Sequence, residues 1–276
     1  MYRILMCAAA GAFFISTQAI AQEKVSFPST DGDLKGGTPT TITGYLYKPA
    51  GSGPFAAVVG LHGCGGFNPI SHPLFDQWSK IIPGKGYLLL LIDSLKPRGR
   101  DTLCGNSSVE PLKEVARDAV GGLNYLRSRP DVRPDSIALM GWSYGGSVTM
   151  NTMSKGVLPD DRGLPKTPER DFRTAIVFYP GCQFLLNAQW RPRQPMLLLI
   201  GESDNVVSPA ACKELAYVAG PPIDAHFYPN AHHLFDHPNL PISASPLGTI
   251  GSNPEARTDA IERVTQFLSK QLEVKP

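Results

Sequence analysis

A series of short, almost purely apolar runs sets the main constraint on this chain: Phe55–Leu61 (FAAVVGL), 87–92 (YLLLLI), 136–140 (SIALM), 174–179 (TAIVFY) and 196–200 (MLLLI). None alternates apolar with polar residues, so each strand must be covered on both faces. That is the pattern of a parallel sheet sandwiched between helices. An earlier segment, Thr41–Tyr47, does alternate, and 225–228 is the last β-rich stretch. The runs stop at turn-forming or polar residues: His62-Gly63, Asp93, Gly141, Pro180-Gly181 and Gly201.

The segments between them read as helices. Over 110–129, Leu112, Val115, Ala116, Ala119, Val120, Leu123 and Leu126 recur at three- and four-residue spacing, with Pro111 in the first turn and Pro130 as the stop. Shorter helices are predicted over 73–82 and Pro209–Ala219, and a final amphipathic one over 255–272. Strands alternating with helices predict one α/β domain over 22–276, with a doubly wound, mostly parallel central sheet and helices on both faces. The polar, Pro-rich stretch 154–172 reads as a surface insertion, either a plain loop or a small cap over a site. With 276 residues, 42% hydrophobic and 18% charged, the chain is long and apolar enough for a sizeable core. Lys+Arg 26 against Asp+Glu 24 leaves a net charge of +2, and no basic run is interleaved with aromatics, so no nucleic-acid partner is expected.

The first 21 residues carry Arg3, an apolar run over 4–15 and Ala19-Ile20-Ala21, the layout of a cleaved secretory signal peptide over 1–21. The apolar run falls short of the ~20 residues a spanning helix needs, so no stable membrane insertion is expected after cleavage. A periplasmic or secreted location follows. Four cysteines then remain, an even count that suits an oxidising compartment. The expected disulfides are Cys64–Cys104 and Cys182–Cys212, because each would join loops at one edge of the sheet; free buried thiols are the alternative. No two cysteines stand at zinc-ligand spacing.

Gly141-Trp142-Ser143-Tyr144-Gly145-Gly146 follows an apolar strand and opens a helix-like GGSVTMNTM. G-x-S-x-G in a strand–turn–helix setting holds a serine hydroxyl on a tight turn, above the carboxyl edge of the sheet. A serine needs a base, and the base an orienting acid. Two later loops supply them in order: Glu202 and Asp204 after 196–200, then His232 and His233 after 225–228. Asp204, deeper in its loop, is the expected acid, with Glu202 a supporting or solvated group. Only one of the adjacent histidines can face Ser143. His233 and His237 have the four-residue spacing of a metal pair, but flanking Pro229 and Pro238 disfavour a long helix and no partner ligands are evident. The oxyanion of a tetrahedral intermediate needs backbone donors. Tyr144 N–H is one candidate; Cys64 N–H, in the glycine-rich loop His62-Gly63-Cys64-Gly65-Gly66, is the other.

Taken together, HGCGG (62–66), DSLKPRG (93–99), the helix 114–132, GWSYGG (141–146), YPGC (179–182), GESDNVVSPAAC (201–212) and YPNAHHLFD (228–236) resemble the dienelactone hydrolase family, in particular its exported bacterial members. The resemblance implies the α/β-hydrolase fold and a nucleophile–Asp–His triad, which falls on Ser143, Asp204 and His233. The A-x-H-x-F-D arrangement selects His233 over His232. Dienelactone hydrolases proper use a cysteine nucleophile; serine here implies general ester or lactone hydrolysis, with a small-molecule substrate and no cofactor or metal. Arginines bind a substrate carboxylate in that family, which makes Arg98 and Arg100 candidates, against a reading as solvated surface groups. The alternatives are a small exported peptidase or amidase related to prolyl oligopeptidases, and a non-catalytic binding protein on the same scaffold.

Overall fold

A computed structural model describes residues 22–106, 108–155, 171–186 and 190–272. The predicted signal peptide and the core of the 154–172 insertion lie outside the described residues. Eight strands form the main sheet: β1 (Gln22–Pro28), β2 (Thr41–Tyr47), β3 (Phe55–Leu61), β4 (Leu88–Asp93), β5 (Val132–Trp142), β6 (Thr174–Phe178), β7 (Met196–Gly201) and β8 (Ile223–Tyr228). Their order is β1-β2-β4-β3-β5-β6-β7-β8, and only β2 runs against the rest. The helices are α1 (Gly32–Lys35), α2 (Ser71–Gly84), α3 (Glu110–Arg127), α4 (Tyr144–Thr152), α5 (Pro209–Ala219) and α6 (Pro254–Leu272). A short hairpin of β9 (Ser243–Ser245) and β10 (Gly248–Ile250) lies outside the main sheet. This is the α/β-hydrolase fold expected from the sequence.

The burial of each strand explains its sequence. β4, β6 and β7 are buried throughout, so both faces had to be apolar. β2 buries every second residue, which is why it alternates. Adjacent residues at the end of β5 show the two covered faces directly. Gly141 lies against Gly145 and Thr149 of α4, while Trp142 stacks edge-on with Phe75 of α2 and lies 6.0 Å from Trp78. Sequence reading missed β1 and the β9–β10 pair, so 225–228 is not the last β segment; in β1, Val25 and Phe27 pack inward between exposed neighbours, a two-residue period too short to stand out. β6 ends one residue before its apolar run because Tyr179 takes φ 38° and leaves the sheet.

The chain reverses its direction of winding at β3, whose neighbours are β4 on one side and β5 on the other. Such a switch point opens a crevice at the carboxyl ends of the strands. Leu61 pairs with Gly141, so the 62–66 loop leaves the sheet beside Ser143. The approach is close enough to exclude any side chain at two positions. A Cβ on Gly141 would lie 2.2 Å from the Gly145 carbonyl oxygen, and one on Gly145 would lie 2.3 Å from the Leu61 carbonyl oxygen. Gly145→Ala should therefore lower the unfolding free energy by about 2 kcal/mol or more through overpacking, read from urea denaturation; a stability equal to wild type would show that the turn can relax.

Candidate active site

Ser143 sits between β5 and α4 at φ 53°, ψ −115°, with its N–H donating to the Phe178 carbonyl at 2.9 Å. This strained turn lifts Oγ off the sheet. Oγ donates to His233 Nε2 at 2.9 Å, and His233 Nδ1 lies 2.7 Å from Asp204 Oδ2. The acidic partner fixes the tautomer: Nδ1 carries the proton and Nε2 presents its lone pair to the hydroxyl. The second carboxylate oxygen of Asp204 accepts from the N–H groups of Val206 and Val207 at 2.9 and 3.0 Å, which locks its rotamer. Both Asp204 and His233 are buried, at 5% exposure each. Their two loops are fastened together, since Ser203 N–H donates to the Ala231 carbonyl at 3.0 Å and Gly201 packs against Ala231 with no room for a Cβ.

The residues competing for these places are engaged elsewhere. Glu202 forms a salt bridge with Lys213 on α5. His232 Nδ1 donates to the Ser203 carbonyl at 3.0 Å. His237 has both nitrogens occupied, donating through Nε2 to the Ile70 carbonyl and accepting at Nδ1 from Asn239 N–H. Among the described residues no group of three His, Cys, Asp or Glu side chains is placed to hold a metal ion, and no helix is long and apolar enough to cross a membrane.

Cys64 lies in the loop that follows β3, where Gly63 approaches Ser143, and Tyr144 directly follows Ser143 in the chain. Tyr144 opens α4, so its N–H has no carbonyl one turn back. Neither that N–H nor the one on Cys64 donates to an acceptor among the described residues. The loop bearing Cys64 is held at three points: a disulfide to Cys104, a bond from Leu103 N–H to the Cys64 carbonyl at 2.7 Å, and His62. A second disulfide joins Cys182 to Cys212 of α5. The His62 ring donates through Nδ1 to the Gly63 carbonyl at 2.8 Å and accepts at Nε2 from Ser94 N–H at 3.2 Å, tying the loop to the end of β4.

Neither Arg98 nor Arg100 lines the cavity onto which Ser143 and His233 open. The Arg98 side chain is 4% exposed and is bound to Asp118, Asp31 and the Ser94 carbonyl. Burial alone would lower its pKa; the surrounding carboxylates instead hold it above its usual value, so the cation is fixed and structural. Arg100 is bound to Glu114, itself buried beside Arg98 and Lys35. The substrate-carboxylate role expected of these arginines is thus corrected: each is already neutralised by acids of α3. The reading as solvated groups fails equally for Arg98.

One buried acid escaped the sequence reading. Asp236, fully buried three residues after His233, accepts from Trp78 and Trp142 Nε1 at 3.0 Å each and from Tyr179 Oη at 2.7 Å. Trp142 precedes the elbow serine, and the Tyr179 ring packs 4.5 Å from the His233 imidazole. Burial raises the Asp236 carboxyl above its ordinary value, against the pull of these three donors. Asp236 therefore supports both Ser143 and His233 from beneath. Its place in HHLFD was the available signal, but nothing in a sequence shows three aromatic donors converging on one carboxylate.

The model of the dienelactone hydrolase family matches residues 42–272. The chain belongs to that family. Membership makes it a hydrolase, and solved structures agree on the fold. The thermophilic esterase Est2 of Thermogutta terrifontis, with butyrate bound, superposes with a TM-score of 0.60 at 20% identity, over 85% of this chain and 92% of that one. Among relatives by sequence, the uncharacterized protein YfhR of Escherichia coli is 25% identical over 226 residues, 77% of this chain and 73% of YfhR. Mouse acyl-coenzyme A thioesterase 1 is 32% identical over 114 residues, 41% of this chain and 24% of the thioesterase.

The fixed loop carries a pH signature. Burial lowers the pKa of His62, so the folded protein keeps this ring neutral where the unfolded chain, near 6.5, takes up a proton. Stability is therefore complete above that value and falls as pH drops below it. Unfolding free energy measured between about pH 5 and 7 should decline on acidification in the wild type and decline less in His62→Gln; equal slopes would remove His62 as the cause.

Proposed function

We propose that this member of the family is an exported serine hydrolase that cleaves carboxylic esters or lactones through an acyl-enzyme. The observation carrying the reading is the unbroken hydrogen-bond chain from Ser143 Oγ through His233 to Asp204. In the first half-reaction Oγ attacks the substrate carbonyl carbon while its proton passes to His233 Nε2. Asp204 holds the Nδ1–H and stabilises the imidazolium. The carbonyl electrons become an oxyanion, which the N–H groups of Cys64 and Tyr144 receive. When it collapses, the carbon–oxygen bond to the alcohol breaks and the alkoxide takes the proton from Nε2. In a lactone that alcohol remains tethered to the acyl group. Water then attacks the acyl-enzyme, gives its proton to Nε2, and Ser143 leaves with that proton as the acid product forms.

Serine rather than cysteine suits this sequence of steps with alkoxide leaving groups and an oxygen ester intermediate. The disulfides Cys64–Cys104 and Cys182–Cys212 support an oxidising location, and the N-terminal apolar run supports export. The peptidase and binding-protein alternatives draw no support from a specific feature of the described site.

A fluorophosphonate probe should label Ser143 stoichiometrically and leave Ser143→Ala unlabelled. With p-nitrophenyl acetate, His233→Ala should lose roughly a thousandfold or more in kcat, while His232→Ala stays close to wild type. Intact activity in His233→Ala would overturn the assignment. Osmotic-shock fractionation with N-terminal sequencing checks export: a periplasmic product beginning at Gln22 is expected, and a full-length cytosolic product would refute it.

A further inference from the structure

The cavity onto which Ser143 and His233 open has a volume of about 490 Å³, within the range of sites that enclose a small molecule. Leu74 and Phe75 of α2, Leu234, and Pro246, Leu247 and Ile250 of the β9–β10 hairpin line it. Among the described residues no Lys, Arg, Asp or Glu lines it. Its uncharged polar side chains already have partners. Asn68 donates to the Gly65 carbonyl and accepts from the N–H groups of Ile70 and Ser71; Ser71 Oγ donates to the Gly66 carbonyl; Ser245 Oγ donates to the Gly248 carbonyl. The cations closest in sequence to the oxyanion loop are held by acids: Lys96 by Asp101, Arg98 by Asp118 and Asp31, and Arg100 by Glu114. A charged substrate group would lose its water here and gain no counter-ion, whereas an apolar group would leave water for carbon surface.

The hairpin is placed by the two catalytic loops. Gly251 N–H donates to the His233 carbonyl at 2.9 Å, with Ile250 bridging His233, and Thr249 N–H donates to Asn205 Oδ1 at 2.7 Å, one residue after Asp204. Leu247 from the hairpin and Ile70 from the other side both line the cavity yet remain 46% and 45% exposed, so they form its mouth.

We infer that the substrate is an uncharged ester or lactone bearing an extended apolar group, and that the β9–β10 hairpin, through Leu247 and Ile250, sets the preference for that group. The inference rests on the serine-hydrolase reading above and goes beyond it by excluding anionic substrates. In p-nitrophenyl esters from acetate to hexanoate, kcat/KM should rise by roughly fourfold for each methylene the cavity buries. Mono-p-nitrophenyl adipate, whose acyl chain has the same length but ends in a carboxylate, should fall at least about tenfold below hexanoate. Leu247→Asp should collapse the hexanoate-to-acetate ratio of kcat/KM towards one, and Leu247→Ala should reduce it a few-fold, with thermal melts verifying that both variants are folded. Labelling by fluorophosphonate and acetate turnover report the serine-hydrolase reading separately. If both are present but the acyl series is flat, adipate matches hexanoate, or Leu247→Asp keeps the wild-type ratio, the inference alone is overturned. If labelling and acetate turnover are both absent, the two fall together.

Discussion

The approach of β5 to β3 at their carboxyl ends governs the rest of the site. Leu61 pairs with Gly141, and the turn after β5 folds back so tightly that Gly145 rests on the Leu61 and His62 carbonyls. Bare backbone on both sides makes this possible. It brings a helix N-terminus and a glycine-rich loop next to one serine, and neither the Tyr144 nor the Cys64 N–H donates to an acceptor among the described residues. The disulfide at Cys64 and the ring of His62 then hold the loop from its outer side. Donors fixed before a substrate arrives need no reordering during the reaction, which is where such groups gain their effect.

The strain this requires is concentrated at the site. The non-glycine residues with positive φ among those described are Ser143, Tyr179, Asn230 and Leu234. One is the elbow serine, one packs on the imidazole, and two flank the histidine loop. A positive φ at such residues persists only where surrounding structure over-determines it. Asp236 supplies much of that determination. Its carboxylate takes hydrogen bonds from α2 (Trp78), β5 (Trp142) and the end of β6 (Tyr179), so three elements converge on one buried acceptor. A buried carboxylate is costly unless its lone pairs are filled, and these neutral donors fill them without an opposing cation that would compete for Asp204.

Much of this was legible in the sequence, for a physical reason. Strands buried on both faces must be apolar throughout, so β3, β4, β6 and β7 announced themselves, and the glycines at 141 and 145 marked a turn with no space for Cβ. The order serine, acid, histidine followed from which loops leave the same edge of the sheet. What stayed hidden depends on long-range partners. β1 is a short edge strand whose two inward residues form too brief a pattern. Asp236 looked like one more acid after a histidine, and its three donors come from segments up to 158 residues away. The separation of Glu202 from Asp204 likewise turned on partners: Lys213 takes the first, while Val206, Val207 and His233 hold the second.

The arginines show why a residue's type and loop position underdetermine its role. Arg98 follows the fourth strand, on the edge where ligands bind, and a cation there reads naturally as an anion receptor. Its guanidinium instead points into the fold, where Asp31 comes from the segment after β1 and Asp118 from α3. Leaving either acid buried without this cation would cost far more than a surface ion pair is worth, so the arginine cannot be released to a ligand. The same network anchors the 93–100 loop, because Arg98 also holds the Ser94 carbonyl and Ser94 N–H holds His62. The positive charge of this loop is thus held within the scaffold that anchors the 62–66 loop. In this chain the carboxylates of α3 retain the positive charge of Arg98 and Arg100, and among the described residues the cavity beside Ser143 is lined without Lys, Arg, Asp or Glu.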